Sequence, residues 1–528
     1  GLERRGAGSV EINGAAVSGD NVAAARRAGI GFVTEDRHEE GLFLSLKLRE
    51  NIGIGALHRI SSLGIIDKRR DIMLTEEVIA RLGVVTGMII EDDDTLASDL
   101  SGGNQQKTLI GRELAGEPEV LLIDEPTKGV DVGARSEIYQ RLRELAASGY
   151  AVVVSSSDGI ELEGLCDRVA VFARGQIVCE LSAEELTDEA ITAANMTATV
   201  ARSGDTTRND TEPRWRRIMA ADHFPAAVLA VLTSTVLFGT GAINEFFLTA
   251  FNIETMLTFL AILAFISIGQ LATILVGRID LSVGALAGFV VVLASFLTPD
   301  GAGPGEALSG AVLILTIVAG FGLLQGWMIT WLNIPAIVVT LATFIGLQGM
   351  SLVLRPQAGG AITDYISDVT QLVMLGIPAG FAVIVIIVAW FEFGLFRSAF
   401  GRRLRAVGSN PLAATRVGVG VNRHIVLAFV LSGLFAGIGG LILAGQVGIG
   451  SPATGIDFTL MSITAVVLGG TKISGGRGSV LCTLMGAALV QSLSSASSFI
   501  NQDSAVRLIM LGASLFSLAR RERRRDVY

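Results

Sequence analysis

The chain has 528 residues, half of them hydrophobic and 17% charged, with a formal net charge of -9 and a mean hydropathy of +0.57. That length exceeds one ordinary domain. The charge, averaged over two unlike halves, says little about partners, and no aromatic-interleaved basic patch marks a nucleic-acid surface. The three cysteines (Cys166, Cys179, Cys482) are too few and scattered for a disulfide frame or a zinc knuckle. His38, His58, His223 and His424 do not cluster, so they read as solvated or helix-end residues before metal ligands.

Residues 1–196 are rich in charge and read as a soluble α/β domain. "SVEINGAAV" (9–17) alternates and carries Asn13-Gly14, a strong hairpin signal. "AGIGFVTE" (28–35) reads as a buried strand ending in a carboxylate. "EVLLIDEPT" (119–127) is an unbroken apolar strand ending in Asp124-Glu125, and "YAVVVSSS" (150–157) is another, ending in hydroxyls. Continuous apolar strands imply burial on both faces, as in a parallel sheet. Residues 167–181 read as two strands about a turn at Arg174-Gly175. The stretch 134–148 places Ile138, Leu142 and Leu145 at helical spacing. Strands alternating with helices give an α/β domain, with ligands at the carboxyl ends of its strands.

"LSGGNQQK" (100–107), a helix, "VLLIDE", "KGVD" and "VVVSSS" follow one another in this half. In that order they resemble the nucleotide-binding domain of an ABC transporter over essentially all of 9–181. The resemblance implies a P-loop-NTPase-like fold that uses ATP and Mg²⁺. Ser101, Gly102, Gly103 and Gln105 would contact an ATP across a domain interface. Ser101 sits near a helix N-terminus, where free N–H groups and the dipole favour phosphate, and the glycines allow close approach. Asp124 would hold Mg²⁺ and Glu125 would orient and deprotonate the attacking water. Asp131 falls in the loop after the catalytic carboxylate.

Three features depart from that family. No GxxxxGK[ST] loop occurs in the 528 residues, which leads us to expect a domain truncated at its N-terminus. Glu35 stands where a glutamine is usual, and Ser157 where a histidine clamps the γ-phosphate. This pattern, with "DEPTKGVDVGA", is similar to the second nucleotide-binding domain of the tandem ATPases of ribose-type sugar importers. The resemblance therefore implies a signature donated to ATP held by another domain's phosphate loop.

Residues 197–217 read as a linker. It is rich in Thr, Ser, Asp and Gly and ends in "RWRR", an interfacial anchor. Residues 218–528 read as an all-α polytopic membrane domain of about ten helices, near 225–243, 254–276, 281–298, 308–332, 335–354, 376–396, 424–446, 458–470, 478–498 and 504–519. The eighth is short and could be re-entrant, leaving eight to ten crossings. With the soluble domain cytoplasmic, the Arg-rich loop 397–423, Lys472, Arg477 and the tail "RRERRR" (520–525) fall inside, while few basic residues, such as Arg355 and Arg507, fall outside.

Within 401–423, Asn410 suits an N-cap, Pro411 a first turn, Ala413 and Ala414 a helix, and Gly418 its close. The 410–418 segment thus reads as a coupling helix, or more plainly as a basic loop. "GRIDLSVG" (277–284) and "VVLGGTKISGGRGSV" (466–480) interrupt apolar segments, which tends to mark a pathway. Asp280 lies at or near membrane depth. It is either functional, paired with Arg278, or a cap on the third segment. Gln270, Asn333 and Gln348 are pathway candidates that could equally satisfy neighbouring helices. These stretches resemble permeases of the same sugar-importer class. The whole then implies an ATPase–permease fusion in the bacterial inner membrane. Its partners would be a second permease copy, a nucleotide-binding domain with an intact phosphate loop, a periplasmic sugar-binding protein and membrane lipid, with no nucleic acid. Import of a nucleoside or another small solute, or a non-catalytic fragment, remain as alternatives.

Overall fold

The computed structural model describes residues 8–17, 21–84, 95–173, 176–182, 186–188, 190–191, 224–374 and 376–500. The linker at 197–217, the turn at Arg174-Gly175, the tenth apolar segment, Arg507 and the basic tail lie outside these residues. Contacts divide the chain into two compact units. One comprises Gly1–Pro213, Arg397–Ala406 and Asn410–Gly420; the other holds Arg214–Phe396, Val407–Ser409 and Val421–Tyr528. Most of the inner loop therefore packs with the first unit, although it lies in the sequence of the membrane half.

The first unit is built on a parallel sheet of Ile30–Val33, Val120–Asp124 and Ala151–Ser155, in that order. Asn13 (φ 51) and Gly14 (φ 77) make the tight turn between Glu11–Ile12 and Ala15–Ala16. Helix Val132–Ala147 buries Ile138, Leu142 and Leu145, as its period requires. Strands Arg168–Ala173 and Gln176–Ser182 pair antiparallel. One expectation fails: Ala151–Ser155 is not buried on both faces, and Val153 is 54% exposed. Its residues alternate between exposed and half-buried, so among the described residues one face of this strand is left uncovered.

In the second unit, seven helices among the described residues are long and apolar enough to cross a bilayer: Ala226–Ile243, Ala250–Leu275, Pro304–Trp331, Ala336–Leu354, Ala379–Arg397, Val421–Val447 and Val480–Phe499. Two apolar helices are shorter, Val283–Leu297 and Phe458–Leu468. The second of these is the segment read as short. The first corrects the expected full third span. Its 15 residues rise about 22 Å, short of the roughly 30 Å hydrocarbon thickness, because the helix begins at Val283 and ends at Leu297, inside the expected 281–298. Helix 421–447 packs closely on helix 304–331, where a Cβ on Gly326 would lie 2.7 Å from the Val426 Cα. Small residues let membrane helices approach in this way.

Candidate functional site

The helix opened by the Ser-Gly-Gly motif spans Gly102–Ala115, with Ser101 at its N-cap. An N-cap serine ordinarily bonds the first turn, yet the exposed Ser101 side chain makes no cap hydrogen bond. Its hydroxyl and the first-turn N–H groups form a donor set that fits a phosphate at the positive end of the helix dipole. The glycines have a second cause. A Cβ on Gly103 would lie 2.7 Å from the Ala134 Cβ, and one on Gly102 would lie 3.1 Å from the Gly129 carbonyl. The motif packs directly on the "KGVDVGA" loop, and a larger residue would push the two apart.

Asp124 ends its strand half-buried. Glu125 follows with φ 50, a region that non-glycine residues rarely occupy. Its N–H donates to the Ser155 carbonyl at 2.8 Å, and its carboxylate accepts the Ser157 N–H at 2.8 Å. Glu125 and Ser157 are thus brought together through the Ser157 main chain, which leaves the Ser157 hydroxyl out of the contact. Buried Glu161 accepts from Thr127 Oγ1 (2.7 Å) and Ser156 Oγ (2.5 Å), so one carboxylate pins the segments on both sides. Asp131 caps helix 132–147 by accepting the Ala134 N–H at 3.2 Å. Glu35 pairs with exposed Lys128.

Gln105 corrects an expectation. It is buried, its Nε2 donates to the Ala97 carbonyl (3.1 Å), and its Oε1 accepts from Arg37 Nε (3.2 Å) and His38 Nε2 (2.8 Å). Both ends of this amide are thus engaged with the interior of the domain rather than presented to a nucleotide.

Residues Arg37–Gly41 form one wide helical turn. Asp36 caps it, accepting the His38 and Glu39 N–H groups at 2.9 Å each, and the Glu39 bond is the leading cause that lowers the Asp36 pKa. Gln105, Leu109 and Arg112 present one stripe of the signature helix to this turn. Leu109 packs at Gly41, and Arg112 donates to the Gly41 carbonyl. On the turn's other carbonyls sits the inner loop. Asn410 accepts the Ala413 N–H (3.0 Å) as N-cap of helix Pro411–Arg416, while its Nδ2 reaches the Glu39 (2.8 Å), His38 (3.3 Å) and Leu42 (3.3 Å) carbonyls. Ala413 and Ala414 are fully buried, Gly418 closes the segment at φ 79, and Arg416 pairs with Glu40.

A second helix, Ala399–Ser409, precedes it. Its Arg402 grips Asp71 with two bonds of 3.1 and 2.6 Å, and Arg405 grips Glu50 with two more, one of 3.2 Å. All four side chains are buried. Gly53 leaves room for them, since a Cβ there would meet the Arg402 guanidinium and lie 2.5 Å from Asp71 Oδ1. Burial pushes the Glu50 pKa up, but Arg405 and Arg402 more than reverse this and hold it at about 2.

In the second unit, buried Asp280 accepts from the Ser282 N–H (2.9 Å), Ser282 Oγ (2.6 Å) and Ser432 Oγ (2.8 Å). Gln325 Nε2 donates to Ser282 Oγ at 2.7 Å. With its amide turned so that Nε2 faces the Asp280 carbonyl and Oε1 the Asp280 N–H, Gln270 meets them at 2.7 and 3.3 Å. Asp280 therefore ties the start of helix 283–297 to helix 421–447, and it is not placed with Arg278. Asn333 is exposed with φ 53 in the turn after helix 304–331, a position that asparagine tolerates. The structure therefore gives it a turn role.

Two family models match. Residues 252–518, just over half of the chain, match "Branched-chain amino acid transport system / permease component". The chain belongs to this permease family. Residues 1–128 of this permease-family chain match "ABC transporter". The "Ribose import ATP-binding protein RbsA 2" of Rhizobium meliloti (strain 1021) is 47% identical over 167 residues, 32% of either chain. The "Putative ribose/galactose/methyl galactoside import ATP-binding protein 3" of Agrobacterium fabrum is 44% identical over 193 residues, 37% of this chain and 38% of the relative. The permease-family chain spans about a third of the length of these curated relatives. Among solved structures, a dimeric ATP-binding cassette bound to ADP and Pi is 23% identical with a TM-score of 0.29, over 34% of this chain and 76% of that one.

The protein thus joins an ABC ATPase fold to a helical permease-family domain, and it is a multi-pass membrane protein of the bacterial inner membrane. Arg37, Glu50, Asp71 and Glu161 are candidate site residues that sequence reasoning missed, and Arg402 and Arg405 were read there only as inner-loop charge. Only the i, i+3 spacing of Arg402 and Arg405 on an otherwise apolar face could have signalled them.

Proposed function

We propose that this chain is the ATPase–permease subunit of an ATP-driven importer of a monosaccharide. The observation that carries the reading is the seating of residues 397–406 and 410–420. They lie within the permease-family match, yet they pack in the nucleotide-binding unit through buried Arg–carboxylate pairs and a capped helix. Such a segment can pass ATP-driven movement to membrane helices, which is a two-state element biased by nucleotide.

In this reading Ser101 and the N–H groups at Gly102 and Gly103 hold the γ-phosphate of an ATP whose other phosphates rest on a different phosphate loop. Glu125 orients the attacking water, Asp124 holds Mg²⁺, and Ser157 leaves the domain's own site degenerate. A second permease copy, a phosphate-loop domain, lipid and a periplasmic binding protein complete the transporter. The sugar assignment is supported by the ribose and galactose names of the curated relatives. The family description names branched-chain amino acids, which keeps a second solute class in view beside nucleosides.

The test is reconstitution of the full chain in proteoliposomes with a tandem sugar-importer ATPase that carries an intact phosphate loop, and with a ribose-binding protein. ATP-dependent uptake of labelled ribose, lost in Ser101→Arg, is expected. Uptake of leucine or a nucleoside but not ribose would replace the substrate class. ATP turnover that never appears with any partner would establish the non-catalytic fragment instead.

A further inference from the structure

Arg37 has no role in the catalytic scheme above, yet it is the most connected side chain of the docking turn. Half-buried, it donates through Nε to Gln105 Oε1 (3.2 Å), through Nη1 to the Lys128 carbonyl (2.7 Å) and through Nη2 to the Gly129 carbonyl (3.0 Å). The two carbonyls belong to the loop between Glu125 and Asp131. Gln105 belongs to the signature helix, and Arg37 itself lies in the turn whose carbonyls receive Asn410.

The donor and acceptor roles at this junction are fixed by its partners. Gln105 Nε2 is a donor to Ala97, so Gln105 Oε1 is an acceptor, and His38 Nε2 must carry a hydrogen to bond it. The turn and the signature helix are therefore joined at Gln105 and again, seven residues on, where Arg112 donates to the Gly41 carbonyl. They behave as one body. The "KGVD" loop reaches that body chiefly through the Arg37 fork and the packing of Gly102 and Gly103. A planar guanidinium is the one side chain that can meet three acceptors in fixed directions at once.

We propose that Arg37 is a positioning residue: it fixes the loop after the catalytic carboxylate to the turn that receives the inner-loop helix, so that movement of Asn410 is felt at residues 125–131. Its three bonds all go to protein acceptors. The proposal rests on the ATPase reading only for its kinetic arm.

The first arm needs no nucleotide or solute. Hydrogen exchange is measured in the full chain in lipid nanodiscs at the Lys128 and Val130 amides, which bond the Glu125 and Thr127 carbonyls, with helix 132–147 as internal reference. Arg37→Ala is expected to speed exchange at 128–130 by about tenfold or more, the loss of a charge-assisted pair of bonds. Asn410→Ala is expected to speed it as well, but to add nothing in the Arg37→Ala background, as coupled sites require. Arg37→Lys keeps the stem and charge without the fork. It is expected to stay defective, and it replaces the alanine if helix 132–147 also loosens. Unchanged exchange at 128–130, additive effects of the two variants, or full rescue by lysine would each overturn the proposal.

The kinetic arm uses the complex with a phosphate-loop ATPase. Arg37→Ala is expected to lower kcat for ATP by about tenfold with KM within about twofold, since it misplaces the loop without touching nucleotide binding. Equal changes in both would overturn it. An inactive unmodified complex would count against the ATPase reading alone, because the exchange result stands without it.

Discussion

Arg405→Met removes one arm of a buried ion pair and leaves Glu50 without its nearest cation. The geometry sets the size of the effect. Both side chains are under 10% exposed, and the guanidinium meets both carboxylate oxygens. Breaking a buried pair from one side destabilises by roughly 3–5 kcal/mol. The Glu50 pKa, which burial raises and Arg405 and Arg402 together lower further, points the same way. Lowering from 4.5 to about 2 corresponds to about 3 kcal/mol at neutral pH. A depressed carboxylate pKa contributes stability that is fully present above the unfolded value and lost as pH falls towards 2. Between pH 5 and 8 the contribution is therefore flat. The assay is hydrogen exchange of helices 399–409 and 48–54 in nanodiscs, which reads local opening. Arg405→Met is expected to speed exchange in both helices by about a hundredfold, with little dependence on salt, because buried pairs are poorly screened. Adding Glu50→Leu should recover much of the loss, since the penalty comes from an unpaired buried charge. An Arg405→Met chain that exchanges like the unmodified one, or a double variant worse than the single, would refute the reasoning.

Other outcomes follow from single contacts. Gly103→Ala places a methyl group against Ala134 and is expected to destabilise the first unit by about 1–3 kcal/mol, read as a lower unfolding temperature. Glu125→Gln in the complex with a phosphate-loop domain is expected to cut ATP turnover by about 10²–10⁴ while ATP binding persists, measured by single-turnover hydrolysis and filter binding. Asp280→Leu strands the Ser282 and Ser432 donors and is expected to lower the stability of the detergent-solubilised chain by about 1–3 kcal/mol. Asp280→Asn, which keeps an acceptor, should lower it less.

What was legible in the sequence was local. Asn13-Gly14 specifies a turn because only residues tolerant of positive φ can make it. Asn410-Pro411 specifies a helix start because cap, fixed φ and missing N–H coincide over two residues. The signature motif and the carboxylate-ended strand were equally readable. Long-range direction was not. "LSGGNQQK" says that Gln105 is on a helix near a phosphate site, but the side of the helix it occupies depends on Arg37, 68 residues earlier. Arg402 and Asp71 are 331 residues apart, and no period connects them. The interruption at 277–284 was visible as glycine and charge, but its conformation was not. Its turn at 277–282 depends on the Asp280 bonds to Ser282 and Ser432, the second of which comes from another helix.

The arginines of the inner loop show how one sequence feature can carry two causes. Six of them between 397 and 423 read as a positive-inside signal. The structure splits them evenly. Arg397, Arg403 and Arg423 are exposed and can serve as charge at a membrane surface. Arg402, Arg405 and Arg416 are each matched to one carboxylate, on Asp71, Glu50 and Glu40. Apolar side chains would seat the loop about as firmly, because desolvating an ion pair offsets most of its attraction. The paired charges instead confer selectivity: a loop with a different charge order would bury an uncompensated carboxylate at two positions. Three matched pairs between one loop and three separate segments of the first unit therefore fix which loop fits and in which register.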